Sequence, residues 1–183
     1  MARLYYVVGA SGAGKDSLIQ YARGALAARA AIVCAQRYIT RSVQSDGENH
    51  VALTKDEFLQ RKRHELFAMT WQSHGYHYGI GAEIDVWLAK GLDVVVNGSR
   101  SYIPSAIARY PKLQVIWISA APQLLAARLA RRGRESRAEI SARLQRNARL
   151  GVEPPPGALH INNEGPLESA GSLLVKLLTA RVA

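Results

Sequence analysis

Residues 4–17 read Leu-Tyr-Tyr-Val-Val-Gly-Ala-Ser-Gly-Ala-Gly-Lys-Asp-Ser, and this stretch decides the fold. The apolar run Leu4–Val8 predicts a buried strand, because short continuous apolar runs are typical of strands covered on both faces. The glycine-rich turn Gly9–Gly14 follows it, and Lys15 then opens a segment with helical character that extends to Arg29. A turn of this kind between a strand and a helix is the setting of a P-loop, which binds phosphate groups.

The composition of this turn favours phosphate over other ligands. Small residues let the backbone curl so that N–H groups converge on an anion, and the helix N-terminus adds about half a positive charge. The spacing G-x-x-G-x-G excludes the dinucleotide fingerprint G-x-G-x-x-G. Lys15 can reach the β- and γ-phosphates of a nucleotide and is a predicted catalytic residue, while Ser17 is expected at the α-phosphate. The predicted ATP-binding residues of the loop are Gly9, Ala10, Ser11, Gly12, Ala13, Gly14, Lys15, Asp16 and Ser17.

One position of the loop departs from the usual motif, in which a serine or threonine after the lysine binds magnesium. Here that residue is Asp16, and the apolar strand Asp93–Val96, whose end would normally deliver a magnesium-associated carboxylate, runs into Asn97. We interpret the two departures together and predict that Asp16 holds Mg²⁺ directly or through water, since Mg²⁺ takes oxygen ligands at about 2.1 Å. The alternative is that Asp16 only stabilises the helix N-terminus electrostatically.

The overall composition is that of one ordinary globular domain. The chain has 183 residues, of which 48% are hydrophobic and 21% charged, and this suits a single α/β domain with its own core. No apolar run approaches the roughly 18–20 residues that a membrane span requires, and Leu4–Val8 is too short for a signal-peptide core. Cys34 is the only cysteine, which excludes an internal disulfide and predicts a cytoplasmic location.

Outward from the P-loop, short β-branched runs alternate with longer amphipathic stretches. This alternation predicts an α/β fold of the P-loop NTPase type, with a parallel five-stranded core sheet flanked by helices. The predicted core strands are Leu4–Val8, Ala31–Ala35, Asp93–Val96, Leu113–Ser119 and Leu159–Asn162. We interpret the whole chain, 1–183, as one domain whose core comprises residues 1–36, 82–132 and 150–183.

Residues 37–81 break this alternation and are predicted to form a small insertion in the core. Within the insertion, residues 54–57 read Thr-Lys-Asp-Glu, which is the capping-box pattern, so a helix should begin at Lys55. Leu66–Trp71 and Tyr76–Ile80 have the length and composition of two short strands.

The formal net charge of +10 is carried mostly by arginine and points to anionic partners. Eight arginines fall within one stretch, namely Arg128, Arg131, Arg132, Arg134, Arg137, Arg143, Arg146 and Arg149. One guanidinium group can donate two parallel hydrogen bonds to the oxygens of a phosphate, so this cluster favours discrete phosphate contacts. Residues 133–149 are predicted to form a lid that hinges at Gly133. A nucleic-acid-binding protein is the alternative, but such proteins interleave aromatic residues with lysines, and no nucleic acid or membrane partner is predicted.

With these parts in place, the chain resembles the guanylate kinase-like branch of nucleoside monophosphate kinases over nearly its whole length. Thr40-Arg41 looks like the pair whose arginine binds the acceptor phosphate in that family, and His77-Tyr78-Gly79 looks like its Tyr-Tyr-Gly, whose hydroxyl touches the same phosphate. The resemblance implies that the lid carries catalytic arginines that close over the triphosphate, here Arg128, Arg132 and Arg143. For any single arginine, the alternative is an exposed helix face with no role in catalysis.

The groups that read guanine in guanylate kinases are missing from this sequence. The corresponding positions hold Ala68 or Met69 and Ser99, none of which can accept two hydrogen bonds from a guanine edge. Gln44 replaces the second arginine of that family's acceptor clamp. In exchange the same region has further side chains that can donate hydrogen bonds to phosphate, namely Arg37, His50, His77 and Arg100. This exchange suits an acceptor with more phosphate and no base.

Three motifs are similar to one specific family, the ribose 1,5-bisphosphate phosphokinases of phosphonate breakdown. They are Gly-Ala-Gly-Lys-Asp-Ser at 12–17, Arg-Tyr-Ile-Thr-Arg at 37–41 and His-Gly-x-x-Tyr-Gly at 74–79. The resemblance implies a transfer of the ATP γ-phosphoryl group to the 1-phosphate of ribose 1,5-bisphosphate, which yields 5-phosphoribosyl 1-diphosphate. The substrate-binding residues that follow from this comparison are Arg37, Arg41, His50, Tyr78 and Arg100.

The expected mechanism needs no general base, because a phosphate monoester is largely dianionic near neutral pH. Lys15, Mg²⁺ near Asp16 and the lid arginines would offset the repulsion between two polyanions. Asn162 and Asn163, after the last strand, are candidates for hydrogen bonding to adenine, with Asn162 the assigned residue, and the alternative is a simple strand-end turn.

Two other functions stay open at this point. One is a nucleoside monophosphate kinase with altered base specificity, and the other is a non-catalytic guanylate kinase-like binding module. The module should have a degraded P-loop, whereas this chain keeps Lys15. The sequence leaves the oligomeric state open, with a homodimer as one option.

Overall fold

The computed structural model describes residues 2–27, 31–42, 50–131, 141–142, 144–145, 147 and 153–180. Its strands in chain order are β1 Leu4–Gly9, β2 Ile32–Cys34, β3 Arg37–Ile39, β4 His50–Ala52, β5 Phe67–Ser73, β6 Tyr76–Gly81, β7 Asp93–Asn97, β8 Gln114–Ser119 and β9 Leu159–Asn162. Its helices are α1 Lys15–Leu26, α2 Lys55–Arg63, α3 Glu83–Ala89, α4 Ile103–Arg109, α5 Pro122–Arg131 and α6 Leu167–Thr179, with a 3₁₀ turn at Arg100–Tyr102.

The core is a five-stranded sheet in the order β2-β7-β1-β8-β9, and each neighbouring pair runs parallel. The strand β1 lies at its centre and is buried on both faces, which is why its sequence is continuously apolar. Tyr6 and Val8 belong to the core on one side of the sheet, while Tyr5 and Val7 belong to the core on the other. The predicted α/β fold with a parallel five-stranded sheet is confirmed.

The parallel arrangement brings the carboxyl ends of the strands to one edge of the sheet. In the register, Val7 lies beside Asn97, and Gly9 lies beside Ile118. The P-loop at the end of β1 and Asn97 at the end of β7 therefore share an edge, which is where ligands bind in open α/β sheets.

A second sheet of four strands, in the order β4-β3-β6-β5, is formed within residues 37–81. The antiparallel hairpin β5–β6 corresponds to the two strands predicted there. The strands β3 and β4 were not predicted, because three residues are too few to show a periodic pattern. Their partners are distant in sequence, since β3 pairs with β6 and Arg37 lies opposite Ile80.

The helix α2 begins at Lys55, as the capping box predicted. The Glu57 N–H donates to the Thr54 hydroxyl oxygen at 3.2 Å, and the Thr54 N–H donates to Glu57 Oε2 at 2.7 Å. On the buried side of this helix, Phe58 stacks against Phe67 with ring centroids 4.7 Å apart. This contact packs α2 against the β5 end of the second sheet.

Other predicted boundaries differ from the structure by a few residues or lie outside it. The helix predicted to reach Arg29 ends at Leu26, and residues 28–30 lie outside the described residues. The predicted hinge at Gly133 also lies outside them, as does most of the predicted lid, of which residues 141–142, 144–145 and 147 are helical. In the parts of the chain that the structure describes, no helix is both long and apolar enough to cross a membrane. The division into core, insertion and lid stays a prediction.

Candidate active site

The P-loop follows β1 and owes its shape to glycines. Gly12 and Gly14 both have φ near +87°, a left-handed conformation that residues with a side chain rarely adopt. A Cβ atom on Gly9 would lie 2.3 Å from the Ile118 carbonyl oxygen, so only glycine lets β1 pass this close to β8. Ala13 is fully buried in the core, and its N–H donates to the Ala10 carbonyl oxygen at 3.1 Å, which closes the turn.

Two side chains brace the loop from inside. The Lys15 ammonium donates to the carbonyl oxygens of Gly9 and Ala10 at 3.0 and 3.1 Å. Asn163, which follows β9, is buried, and its Nδ2 donates to the Ala13 carbonyl oxygen at 2.8 Å. The loop is therefore held at its start by Lys15 and at its apex by the neighbouring strand end.

Asp16 lies where the P-loop meets the end of β7. Its carboxylate accepts hydrogen bonds from Arg37 Nη2 at 3.0 Å and from Asn97 Nδ2. The two departures from the usual motif are thus in direct contact, as the joint interpretation of Asp16 and Asn97 requires. Asn97 Oδ1 is buried and has no hydrogen-bond partner among the described residues.

The predicted acceptor residues, with one exception, lie in one continuous cavity with the P-loop. Gly9, Ser11, Gly12, Gly14, Lys15 and Asp16 line it on one side, and Arg37, Arg41, Tyr78 and Arg100 line it on the other. The Arg37 guanidinium lies 5.7 Å from the centre of the Tyr78 ring. That ring is in turn stacked on Trp71 at 5.6 Å, with only 6° between the planes. This stack holds the Tyr78 hydroxyl and Arg37 on the same wall.

The exception is His50, which is buried and does not border the cavity as described. Its Nε2 lies 3.2 Å from the Arg41 carbonyl oxygen. The backbone of Arg41 is thereby tied to β4, and the predicted contact of His50 with the acceptor stays a prediction. The cavity is also lined by six residues that were not predicted as site residues, namely Trp71, Ser73, His74, Gly98, Ser99 and Asn147.

The short segment that carries Arg100 is fixed by Tyr6 of the central strand. The Tyr6 hydroxyl donates to the Ser99 carbonyl oxygen at 3.2 Å and accepts from the Ser99 N–H at 3.0 Å. Burial raises the pKa of Tyr6 far above its ordinary value, so the hydroxyl keeps the proton that it donates. A Cβ on Gly98 would lie only 2.1 Å from the Tyr6 ring, so glycine is required there.

A second cavity adjoins the outer side of the P-loop. It is lined by Gly12, Gly14, Ser17, Arg128, Arg131, Asn163, Gly165 and Leu167. Arg128 Nη1 is buried and has no hydrogen-bond partner within the described part of the chain. Asn163 borders this cavity, whereas Asn162, the residue assigned to adenine, is exposed at the end of β9 and pairs with Ser119. Arg132 and Arg143 lie outside the described residues.

The guanine-reading positions of the guanylate kinase-like family have no equivalent chemistry here. Ala68 and Met69 are buried within the core and take no part in the cavity wall. Ser99 does border the cavity, and its hydroxyl lies 3.0 Å from that of Ser101. Among the described lining residues, Asp16 is the single carboxylate, against Lys15 and three arginines. Such a lining favours polyanions over a neutral base.

The fold and this site define a P-loop kinase of the guanylate kinase-like class. The guanylate kinase of Anaplasma phagocytophilum superposes with a TM-score of 0.68, covering 97% of this chain and 84% of that one at 15% identity, a likeness that shows the fold. Among curated proteins, ribose 1,5-bisphosphate phosphokinase PhnN of Burkholderia pseudomallei is 54% identical over 177 residues, covering 96% of this chain and 95% of the relative. The protein of the same name from Thiobacillus denitrificans is 51% identical, covering 97% and 93%.

The chain belongs to the family of ribose 1,5-bisphosphate phosphokinases. The resemblance inferred from the three motifs is confirmed at this level. No protein-family model matches the chain.

Proposed function

We propose that the protein transfers the γ-phosphoryl group of ATP to the 1-phosphate of ribose 1,5-bisphosphate, which yields 5-phosphoribosyl 1-diphosphate and ADP. The observation that carries the proposal is the single cavity that joins Lys15 of the P-loop to Arg37, Arg41 and Arg100. Such a cavity suits two polyanions placed end to end. Its described lining holds no carboxylate at the positions that read guanine, which argues against a nucleotide acceptor.

The chemistry is a direct phosphate-to-phosphate transfer. An oxygen of the acceptor 1-phosphate attacks the γ-phosphorus, the bond from the γ-phosphorus to the β–γ bridging oxygen breaks, and ADP leaves with those electrons. No proton has to move, because the attacking oxygen is already ionised near neutral pH. None of the histidines, including the cavity residue His74, has to act as a base.

Repulsion between the reactants is the main obstacle. Two unit charges about 4 Å apart repel by about 4 kcal/mol at an effective dielectric constant of 20, and both reactants carry several charges. Lys15 would hold the donor phosphates, and Arg37, Arg41 and Tyr78 would hold the acceptor phosphate, which their place in one cavity supports. Arg128, with its buried Nη1 next to the loop, together with Arg132 and Arg143, would stabilise charge that develops during transfer.

We infer that magnesium accompanies ATP and lies near Asp16. The donor set fits Mg²⁺, because the Asp16 carboxylate and the buried Asn97 Oδ1 both present oxygen atoms at the mouth of the loop. The described residues hold no group of three or more histidine, cysteine or acidic side chains, which suits an ion held mainly by water and phosphate oxygens. When bound, Mg²⁺ would neutralise the β- and γ-phosphates. Arg37 would then have to share Asp16 with the ion or turn toward the acceptor.

The remaining assignments complete the proposal. Residues 37–81 act as the acceptor-binding insertion and residues 133–149 as the lid. Adenine is expected in the second cavity, which Asn163 borders, and Asn162 precedes it at the exposed end of β9. Ser17 borders the same cavity and is expected at the α-phosphate.

A panel of acceptors tests the function. The enzyme is incubated with γ-labelled ATP, Mg²⁺ and one of three acceptors, ribose 1,5-bisphosphate, GMP or AMP, and the products are separated by ion-exchange chromatography. We expect labelled 5-phosphoribosyl 1-diphosphate with the first acceptor and little product with the others. Preferential formation of labelled GDP from GMP, or of labelled ADP from AMP, would instead favour a nucleoside monophosphate kinase.

Lys15→Ala provides the matched control for this assay. We expect turnover to fall by a factor on the order of 10³ or more, because the phosphates lose their central cation. The melting temperature should stay close to that of the wild type, since Lys15 belongs to neither of the two buried core clusters. Activity that survives this substitution would contradict the assignment of the site.

A further inference from the structure

Asn147 joins the two sides of the cavity through its amide. Its Oδ1 accepts from the Ser11 N–H at 3.1 Å and from Arg100 Nη2 at 2.7 Å, while its Nδ2 donates to the Ser11 carbonyl oxygen at 3.3 Å. Its own backbone carbonyl oxygen accepts from Arg100 Nη1 at 3.3 Å. The residue is only 9% exposed. One residue therefore ties the P-loop to an arginine that comes from another strand end.

The chemistry of these bonds requires an amide. Asn147 must accept two hydrogen bonds on one atom and donate one from the other, and among short side chains only asparagine offers both. The orientation of the amide is also determined, because a flipped group would place its NH₂ against the Ser11 N–H and the Arg100 guanidinium. An aspartate could accept both bonds but could not donate to the Ser11 carbonyl oxygen.

The position of Arg100 explains why such a tie would matter. Its guanidinium lies 5.9 Å from the Trp117 ring centre and faces the cavity that holds Arg37 and Arg41. An arginine side chain has many rotamers, and a contact with the face of an aromatic ring does not by itself fix the direction of the guanidinium. The two hydrogen bonds to Asn147 select one direction, and they are anchored to the P-loop through Ser11.

We propose that Asn147 is a positioning residue, which holds the Arg100 guanidinium in register with the P-loop so that the acceptor phosphate is placed in line with the donor. This rests on the proposed function, because it takes Arg100 as an acceptor-binding group. Asn147 itself acts through Arg100 and Ser11, and the reacting atoms need not touch it.

The first test compares Asn147→Ala and Asn147→Asp in the full-length enzyme, with Gln145→Ala as the control from an exposed position two residues away. For Asn147→Ala we expect the acceptor KM to rise about tenfold, as for the loss of a hydrogen bond to a charged group. The KM for ATP should change less than about threefold, and the melting temperature should stay close to that of the wild type. Gln145→Ala should match the wild type throughout.

The aspartate variant separates positioning from mere packing. Asp has nearly the shape of Asn, so a purely structural role predicts that Asn147→Asp lies closer to the wild type than Asn147→Ala. Positioning predicts the reverse order for the acceptor KM, because a carboxylate would neutralise Arg100 and repel the acceptor. An acceptor KM for Asn147→Asp that is equal to or below that of Asn147→Ala would overturn the proposal.

A second measurement needs no substrate, so it separates failure of this proposal from failure of the proposed function. The indole N–H signal of Trp117 in a ¹H–¹⁵N spectrum, assigned with Trp117→Phe, reports on the guanidinium above the ring. We expect Asn147→Ala to shift this signal in the same direction as Arg100→Ala, and the double variant to add little to Arg100→Ala alone. An unshifted signal in Asn147→Ala, or fully additive shifts, would refute the coupling whatever the acceptor proves to be.

Discussion

Single polar atoms set the geometry of the candidate site, and the pair Asp16 and Asn97 is the clearest case. The sequence alone suggested that a carboxylate had moved from a strand end to the P-loop, and the two side chains do lie in hydrogen-bond contact. The proximity of the two residues could be predicted because each stands next to a recognisable motif, whereas the role of Asp16 toward magnesium stays a prediction. Asn147 gave no such signal, and Asn163 was predicted only as a candidate for adenine, since an asparagine in a helix or after a strand has many uses. Their roles depend on contacts across 136 and 150 residues.

Asp16→Asn tests whether the Asp16 carboxylate helps to hold Mg²⁺. The amide keeps the size of the side chain but loses the charge, so we expect the Mg²⁺ concentration for half-maximal activity to rise several-fold, while saturating Mg²⁺ restores part of the rate. The measurement is a Mg²⁺ titration at fixed ATP. Asp56→Asn, at an exposed position in α2, is the control. Coincident titration curves for Asp16→Asn and the wild type would leave Asp16 with only its electrostatic role at the helix N-terminus.

Tyr6→Phe tests the hydroxyl that fixes the segment before Arg100. The substitution removes both bonds to Ser99 and should lower the free energy of unfolding by about 1–3 kcal/mol. Because Arg100 follows directly, the acceptor KM should also rise, with less effect on the KM for ATP. Urea unfolding and steady-state kinetics measure the two effects. The control is Tyr5→Phe, which removes a 3.4 Å hydrogen bond to Leu178 on the opposite face of the sheet. It should leave the acceptor KM unchanged. A rise of the acceptor KM in Tyr5→Phe would show that the effect of Tyr6→Phe is not specific to the segment before Arg100.

At the scale of elements, helices and strands were predicted most accurately where the hydrophobic pattern and local signals such as capping residues indicate the same element. The five core strands and the start of α2 could be predicted because an apolar run and a capping box are each formed by residues that are close together in the sequence. The strands β3 and β4 were missed because these three-residue strands form only through pairing, β4 with β3 and β3 with β6. His50 was assigned to the acceptor as one of several side chains in that region that can donate a hydrogen bond to phosphate, yet in β4, which pairs with β3, its ring lies against the Arg41 carbonyl oxygen.

The capping box of α2 gives a prediction for pH dependence. Hydrogen bonds from the Thr54 N–H and hydroxyl lower the pKa of Glu57 below its ordinary value of 4.5. A lowered pKa in the folded state means that ionised Glu57 stabilises the fold above about pH 4.5, and that this contribution is lost as the pH falls through the lowered pKa. Glu57→Gln should therefore be less stable than the wild type at pH 7, and the difference should shrink toward pH 3. Urea titrations at several pH values measure it, and a constant difference would contradict the assignment.

At the scale of the whole molecule, the charge distribution links the fold to the reactants. The chain carries a formal charge of +10, and the described cavity lining concentrates Lys15, Arg37, Arg41 and Arg100 around one carboxylate. Fields from such a cleft attract anions over distances comparable to the Debye length, which falls from about 30 Å at 0.01 M salt to about 8 Å at 0.15 M. Contacts within the cavity are screened less, because it is partly closed to solvent.

This difference predicts how salt should act on the reaction. We expect kcat/KM for the acceptor to fall steeply between 0.01 M and 0.15 M salt, while kcat changes little, since screening weakens capture more than transfer. Arg41→Ala should raise the acceptor KM and flatten this salt dependence, because it removes a charge from the cavity wall. Lys90→Gln removes the same charge from an exposed position after α3 and should leave the slope unchanged. Equal slopes for Arg41→Ala and Lys90→Gln would mean that net charge, rather than its placement in the cavity, draws the acceptor in.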